Sequence, residues 1–264
     1  MERMPIKHNM HAPGIYRKPI VRIDAVLRSG NGRNPLYKLE SSLPLFYRHN
    51  LYLKRIADIL LSICTILFIL SWLTPILAIL IKLGSKGPVF FIQKRNKQKG
   101  AVFNCIKFRT MYVNAEADIL GAEENDKRIT AVGYMLRKCH LDELPQVWNI
   151  LKGDMSFVGP RPYMLLENER NERLIWSYNA RHIVKPGITG LAQSMGNFGF
   201  TEDIDKLRER VQLDLYYIHH WSILMDIKIL CRTLFAIIPK DKARSVPHEM
   251  PITEAPGNLY EKCT

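Results

Sequence analysis

The chain has 264 residues, of which 47% are hydrophobic, and this fraction is high enough for a sizeable core and argues against global disorder. The net charge of +13 favours an anionic partner, which nucleic acid, anionic lipid or a phosphorylated substrate would each provide. Five widely spaced cysteines with no CxxC pattern exclude a disulfide framework or zinc site and indicate reduced thiols.

Residues 1–50 are basic and interrupted by five prolines and three glycines. Such a composition is typical of chain without regular structure, so we predict a loosely structured N-terminal extension. These residues lack the continuous apolar core of a cleavable signal peptide, and none is predicted.

Residues 56–83 are almost entirely apolar, and Asp58 and Lys82 are their only charged residues. The length of this segment suits a helix in a hydrocarbon core of about 30 Å. Its few polar residues do not form the stripe that an amphipathic helix of a soluble protein carries. We therefore predict that the segment inserts into a membrane.

Two features are unusual for a simple transmembrane helix. A proline at Thr74-Pro75 removes a backbone hydrogen bond and clashes with the preceding turn, so the helix should break or kink there. Basic residues flank the segment on both sides, although positive charge normally stays on the cytoplasmic side. We therefore predict a re-entrant helix–break–helix anchor over residues 51–84. The alternative is a kinked transmembrane helix.

The residues after the anchor predict an α+β domain that is mainly helical. Residues 89–92 and 102–106 are rich in β-formers around a basic turn, which is typical of a hairpin with a long loop. Residues 115–120 and 132–138 predict short helices, and residues 203–215 predict a charged, periodic helix.

The last long apolar run covers residues 218–238. On a helix, Lys228 and Arg232 would lie about 40° apart and so share one face. With aromatic residues nearby, this suits an amphipathic helix at a membrane interface. A buried core helix is the alternative.

Asp142 and Glu143 are the strongest candidates for chemistry. Pro145 is tolerated in the first turn of a helix but not in its interior, so the acidic pair should lie at or just before a helix N-terminus. A carboxylate there should keep a low pKa and serve as a nucleophile or as a ligand of a hard metal ion. The simpler alternative is that both residues only cap the helix.

Cations near the pair favour a phosphate site. Arg161 lies between two prolines that restrict its backbone, and Arg137, Lys107 and Arg109 are further candidates. Two carboxylates would repel a diphosphate unless a cation neutralised them, so we expect Mg²⁺ beside Asp142 and Glu143.

From Lys54 to Thr233 the chain resembles the bacterial sugar transferases, the monotopic polyprenyl-phosphate phosphoglycosyl transferases. The matched motifs are Lys54-Arg55 with Asp58, Gly87-Pro88-Val89, Gln93 with Arg95, Lys107-Phe108-Arg109-Thr110-Met111, Arg128-Ile129-Thr130, Leu136-Arg137-Lys138, Leu141-Asp142-Glu143-Leu144-Pro145-Gln146, Asn149, Gly153-Asp154-Met155-Ser156, Val158-Gly159-Pro160-Arg161-Pro162 and Lys185-Pro186-Gly187-Ile188-Thr189-Gly190. Each motif is weak alone, but so many in one order form a specific signal.

The resemblance implies an activity. Asp142 would attack the β-phosphate of a UDP-sugar, release UMP and form a covalent phosphosugar-aspartate. Polyprenyl phosphate, undecaprenyl phosphate in bacteria, would then accept the hexose-1-phosphate. Glu143 would assist together with Mg²⁺.

The resemblance also assigns further site residues. Lys107, Arg137, Arg161 and Gln193 match positions that the family uses around the phosphates, and Asp226 matches a position near the metal ion. The apolar segment would be re-entrant, which agrees with the charge argument. The protein would lie in the bacterial inner membrane with its active site facing the cytoplasm, in the first membrane step of surface-polysaccharide or glycoconjugate assembly.

One residue departs from the family pattern. The family commonly has serine before the helix-breaking proline, whereas this chain has Thr74, whose hydroxyl can still bond a freed carbonyl. Larger members carry additional transmembrane helices before the catalytic domain, so the chain resembles the small form. We predict an extension (1–50), a membrane hairpin (51–84), a catalytic domain with interfacial helices (85–240) and a C-terminal tail (241–264).

Two other functions stay open from the sequence. A metal-bound water could make the protein a sugar-nucleotide hydrolase. A non-catalytic, membrane-anchored basic protein is the other alternative, but nucleic acid is not an expected partner because its binding has no need of the acidic pair. The sequence identifies neither the sugar nor the glycan pathway, and it leaves a homodimer open.

Overall fold

The structure is a computed structural model that describes residues 43–114, 126–197, 199, 201 and 203–237. Its helices are α1 (Arg48–Thr65), α2 (Ser71–Gly84), α3 (Ala131–Lys138), α4 (Gln146–Lys152), α5 (Leu165–Leu174), α6 (Leu191–Ser194), α7 (Ile204–His219) and α8 (Ile223–Ile237). Its strands are β1 (Phe90–Asn96), β2 (Val102–Phe108), β3 (Ser156–Val158) and β4 (Gly187–Thr189). Most of the predicted N-terminal extension, the predicted helix at 115–120 and the predicted tail lie outside the described residues.

The prediction of a mainly helical domain with a short antiparallel sheet is confirmed. β1 and β2 pair antiparallel with Gln93 opposite Cys105, and the hairpin is longer than predicted because its basic turn covers only residues 97–101. A second, parallel pair was not predicted, and in it Ser156 of β3 lies opposite Gly187 of β4. Strands of three residues carry too little periodic signal to be recognised.

The apolar segment is one helical stretch from Arg48 to Gly84, long and apolar enough to cross a membrane. The break predicted at Thr74-Pro75 is corrected: α2 continues through Pro75, and the departure from α-helical geometry is a π-helical turn at Ile66–Leu70. In this wider turn, the Ser71 hydroxyl and the Trp72 indole N–H donate to the carbonyls of Leu67 and Phe68. The π-helical turn therefore lies several residues before Pro75, and α2 remains helical across the proline.

One face of this helical stretch packs on the rest of the protein. Leu70, Leu77 and Ile81 are buried and join a core cluster that includes Phe108 and Leu136. The other faces carry large exposed apolar side chains: Leu60, Leu61, Ile63, Leu67, Phe68, Ile69, Trp72, Ile76, Ile79, Leu80 and Leu83. A continuous apolar surface of this kind is typical of contact with a membrane or another protein.

Polar contacts join α1 to the rest of the described domain. Lys54 Nζ lies 2.6 Å from Asp226 Oδ2 on α8. Asp58 accepts hydrogen bonds from the hydroxyl of Ser156 and from a backbone N–H of β3. Arg55 donates to the two carbonyls of Ile150 and Leu151 at the end of α4. Because α4 follows the acidic pair, the apolar helix and the candidate site belong to one packed unit.

Candidate active site

The acidic pair lies on a tight turn. His140 adopts a left-handed conformation with φ of 54°, and the chain then forms a single 3₁₀ turn at Leu141–Glu143. Pro145 precedes the first residue of α4. The predicted position of the pair just before a helix N-terminus is therefore confirmed. A left-handed non-glycine residue is uncommon and is often found at functional sites.

The Glu143 carboxylate is held by two cations. Its Oε1 lies 2.7 Å from both Lys107 Nζ and Arg161 Nη2, and its Oε2 lies 3.2 Å from Arg161 Nη1. Burial acts to raise the pKa of this carboxyl, but Arg161 and Lys107 outweigh it and hold the pKa well below its usual range. Glu143 is therefore ionised and has a fixed orientation.

Asp142 differs from its neighbour although both side chains are largely buried. Its carboxylate has no hydrogen-bonding partner among the described residues. Burial, assisted by the charge of Glu143, raises the pKa of Asp142 against the opposing effect of Lys107 and two arginines. The low pKa predicted for both carboxylates is thus confirmed for Glu143 and wrong for Asp142. An unpartnered, desolvated carboxylate beside cations is suited to nucleophilic attack on phosphorus.

Arg137 is oriented toward this pair by Thr110. Its Nε donates to the Thr110 hydroxyl oxygen over 2.8 Å, while its two Nη groups have no partner within the part of the chain that the structure describes. The contact depends on Gly133, because a methyl group there would lie 1.9 Å from the Thr110 carbonyl oxygen. Arg137 therefore presents a free guanidinium edge next to Asp142, as a phosphate ligand requires.

Arg109 does not belong to the predicted phosphate site. Its guanidinium donates to the carbonyls of Lys86 and Ser85, at and just after the end of α2, and its side chain is buried. Ser85 and Lys86 follow the last residue of α2, and the buried guanidinium is stable there because these two carbonyls accept from its terminal nitrogens. Lys107, two residues earlier in the same motif, donates to Glu143 instead.

Asp226 is also corrected, because it does not join Asp142 and Glu143. Its two oxygens accept from Lys54, the Tyr217 hydroxyl and the Trp221 indole N–H. It therefore anchors α1 to α8. Gln193 donates to the Ile188 carbonyl, and its Oε1 is buried without a partner among the described residues. Among the described residues, no hydrogen bond joins Gln193 to the acidic pair. Its role in phosphate binding stays a prediction.

The described residues contain no group of three or more His, Cys, Asp or Glu side chains that could hold a metal ion. Glu143 already uses both oxygens, so Asp142 is the carboxylate of the pair that is open to a cation. Mg²⁺ in phosphate-transfer sites often has one or two protein carboxylates and takes its other ligands from water and substrate phosphate. The donor set therefore fits Mg²⁺ only as an ion that a bound diphosphate helps to hold.

Two arginines that support Arg161 were not predicted as site residues. Arg181 donates to the Arg161 carbonyl and Arg95 to the Pro162 carbonyl. Arg95 occurred in a matched motif without an assigned role. Nothing in the sequence distinguishes Arg181 from a surface arginine.

A model of the family described as "Bacterial sugar transferase" matches residues 48–240. Similar proteins include two named UDP-glucose:undecaprenyl-phosphate glucose-1-phosphate transferase. The one from Klebsiella pneumoniae is 46% identical over 187 residues, which are 70% of this chain and 40% of that protein. The one from Caulobacter vibrioides is 41% identical over 192 residues, which are 72% of this chain and 71% of that protein.

A third relative is the UDP-N-acetylgalactosamine-undecaprenyl-phosphate N-acetylgalactosaminephosphotransferase of Aeromonas hydrophila. It is 42% identical over 195 residues, which are 73% of this chain and 45% of that protein. The chain thus spans less than half the length of several curated relatives that it matches. Their names also differ in the sugar, so the similarity does not select one.

Proposed function

Since the chain belongs to the bacterial sugar transferase family, we propose that it transfers a hexose-1-phosphate from a UDP-sugar to undecaprenyl phosphate and releases UMP. The names of the relatives support both substrates. The observation that carries the proposal is the contrast between two adjacent buried carboxylates. Glu143 is bound by Lys107 and Arg161, whereas Asp142 has no partner among the described residues.

In the first step, a carboxylate oxygen of Asp142 forms a bond to the β-phosphorus. The bond between that phosphorus and the bridging oxygen breaks, and UMP leaves with the electron pair. In the second step, a phosphate oxygen of undecaprenyl phosphate attacks the same phosphorus. The bond to Asp142 breaks, the carboxylate is restored, and the product is the undecaprenyl-diphospho-sugar. A covalent intermediate lets a soluble and a lipid substrate use one site in turn.

The cations around the pair stabilise charge during both steps. The free edge of Arg137 is available to a phosphoryl oxygen, and the fork of Arg161 lies beside Glu143. Preorganised donors of this kind lower the barrier because they need no rearrangement as charge develops. Mg²⁺, held by Asp142 and substrate phosphate, would supply further neutralisation of the diphosphate.

The membrane arrangement is part of the proposal. We expect residues 51–84 to enter one leaflet and return to the cytoplasmic side, with a bend at Pro75 or at the π-helical turn Ile66–Leu70, since helices kink at such features. The exposed apolar faces and the basic residues on both flanks support this proposal. α8 fits an interfacial helix, since Leu224, Lys228 and Arg232 are exposed along it. A tag at Met1 and one at Thr264 should then both be cytoplasmic in a topology assay. Tags on opposite sides would rule out re-entry.

The activity is tested directly with membranes that contain the protein. A panel of UDP-sugars with undecaprenyl phosphate should show UMP release for at least one sugar. Without the lipid acceptor, label from the sugar phosphate should remain on the protein. A hydrolase would instead release sugar phosphate without the lipid and would leave no labelled protein.

The pH dependence follows from Asp142. Burial raises the pKa of this carboxyl above its ordinary value, and attack requires the ionised form. We expect kcat/KM to fall as the pH drops through this raised pKa. The fall should therefore begin at a higher pH than the ionisation of an exposed aspartate would produce. A rate profile that stays flat down to the ordinary pKa of aspartate would contradict this assignment.

A further inference from the structure

Arg181 lies in a buried polar cluster outside the acidic pair. Its side chain is 1% exposed, and its Nε and Nη2 lie 3.0 and 2.6 Å from Asp214 Oδ2. Its guanidinium also lies 4.7 Å from the centre of the Tyr163 ring. Buried ion pairs contribute little net stability compared with well-packed apolar side chains. Stability alone therefore does not explain why arginine occupies this position.

The cluster reaches the candidate site through the backbone. Arg181 Nη2 donates to the Arg161 carbonyl oxygen over 2.8 Å, and Arg95 Nη1 donates to the next carbonyl, that of Pro162. Two buried arginines therefore hold two consecutive carbonyls. The flanking prolines restrict this segment, and the arginines fix where it lies relative to the rest of the protein.

The side chain of Arg161 depends on that placement. Its two terminal nitrogens meet the two oxygens of Glu143, and such a bidentate contact requires the planar groups to be aligned. We infer that Arg181 is a positioning residue for the transfer reaction: by holding the Arg161 carbonyl it aligns the Arg161 guanidinium with Glu143 and the substrate diphosphate. This inference rests on the proposed function.

Arginine is required because its nitrogens serve several partners at once. Nε and Nη2 bind Asp214, Nη1 donates to the Tyr178 hydroxyl, and Nη2 also reaches the Arg161 carbonyl. Lysine offers one nitrogen. Arg181→Lys can keep the ion pair with Asp214, which protects the fold, but it cannot keep all these contacts.

The test is a double-mutant cycle on kcat/KM for UMP release, with full-length protein in membranes. Arg181→Lys should lower kcat/KM by about 10- to 100-fold, the range of loss when a group that orients a metal ligand is removed. If Arg181 acts through Arg161, kcat/KM of the double variant Arg181→Lys/Arg161→Lys should be no more than about twofold below that of Arg161→Lys alone. If the reductions in kcat/KM of the two single variants multiply in the double variant, the inference is overturned.

Arg55→Lys is the matched control. Arg55 also donates to two backbone carbonyls, but those of Ile150 and Leu151. The reduction in kcat/KM caused by Arg55→Lys should multiply with that caused by Arg161→Lys. The KM for the UDP-sugar provides a second readout, because a displaced Arg161 should bind the substrate diphosphate less well. Arg181→Lys should raise this KM, whereas a purely structural loss would reduce the amount of active protein and leave KM unchanged.

Two outcomes separate the proposals. Wild-type protein that releases no UMP from any UDP-sugar would refute the proposed function. An active wild type with multiplicative effects, or with an unchanged KM for the UDP-sugar in Arg181→Lys, would refute only the positioning role. If Arg181→Lys does not accumulate as folded protein, Arg95→Lys replaces it in the same cycle, since Arg95 holds the neighbouring Pro162 carbonyl.

Discussion

Asp142→Asn is expected to reduce UMP release about a thousandfold or more, the scale of loss when a nucleophile is removed. The amide cannot form the bond to the β-phosphorus. The stability of the protein should not fall, because the Asp142 carboxylate has no partner among the described residues and burial already disfavours its charge. Thermal unfolding and UMP release should therefore respond differently.

The control for this variant is Asp205→Asn. The side chain of Asp205 is 87% exposed on α7, so the same chemical change should leave UMP release near the wild-type rate. Asp142→Asn should also abolish labelling of the protein by sugar phosphate. Near-normal turnover in Asp142→Asn would show that the reaction does not pass through this carboxylate.

Glu143→Gln should reduce activity about a hundredfold or more and, unlike Asp142→Asn, should also destabilise the fold. The amide removes the negative charge with which Lys107 and Arg161 pair, while both cations remain in the site. Removing one partner of a buried ion pair costs about 3 kcal/mol. A lower free energy of unfolding, measured by denaturation in detergent, is the expected result.

The pH dependence of stability gives an internal control. The pKa of Glu143 is depressed in the folded protein, so its carboxylate stabilises the fold above the unfolded-state pKa. This contribution is lost as the pH falls through the folded-state pKa. Glu143→Gln should remove that acid-dependent loss. If Glu143→Gln were as stable as Asp142→Asn, the difference between the two carboxylates would be refuted.

The sequence predicted the features that depend on local chemistry. Pro145 placed the acidic pair before a helix, and the charge-poor run at 56–83 predicted the long apolar helix. It could not locate the irregular turn in that helix. That turn lies at Ile66–Leu70, where the sequence has no proline or glycine to mark it.

The structure gives two predicted site residues other partners. Arg109 and Asp226 are charged residues in matched positions, and both are used to join helices to the rest of the fold. A buried charged group binds the nearest complementary group, which is set by packing and not by distance along the chain.

The sequence by itself determined the family resemblance, the long apolar helix and the position of Asp142 and Glu143, because hydropathy, proline geometry and residue order are read from the chain directly. Only the tertiary structure decided that Glu143 is bound by two cations, whereas Asp142 has no hydrogen-bonding partner among the described residues. Lys107 comes from a strand 36 residues earlier and Arg161 from a loop 18 residues later. Two adjacent acids with nearly identical chemistry differ because hydrogen bonds and burial depend on distances in space.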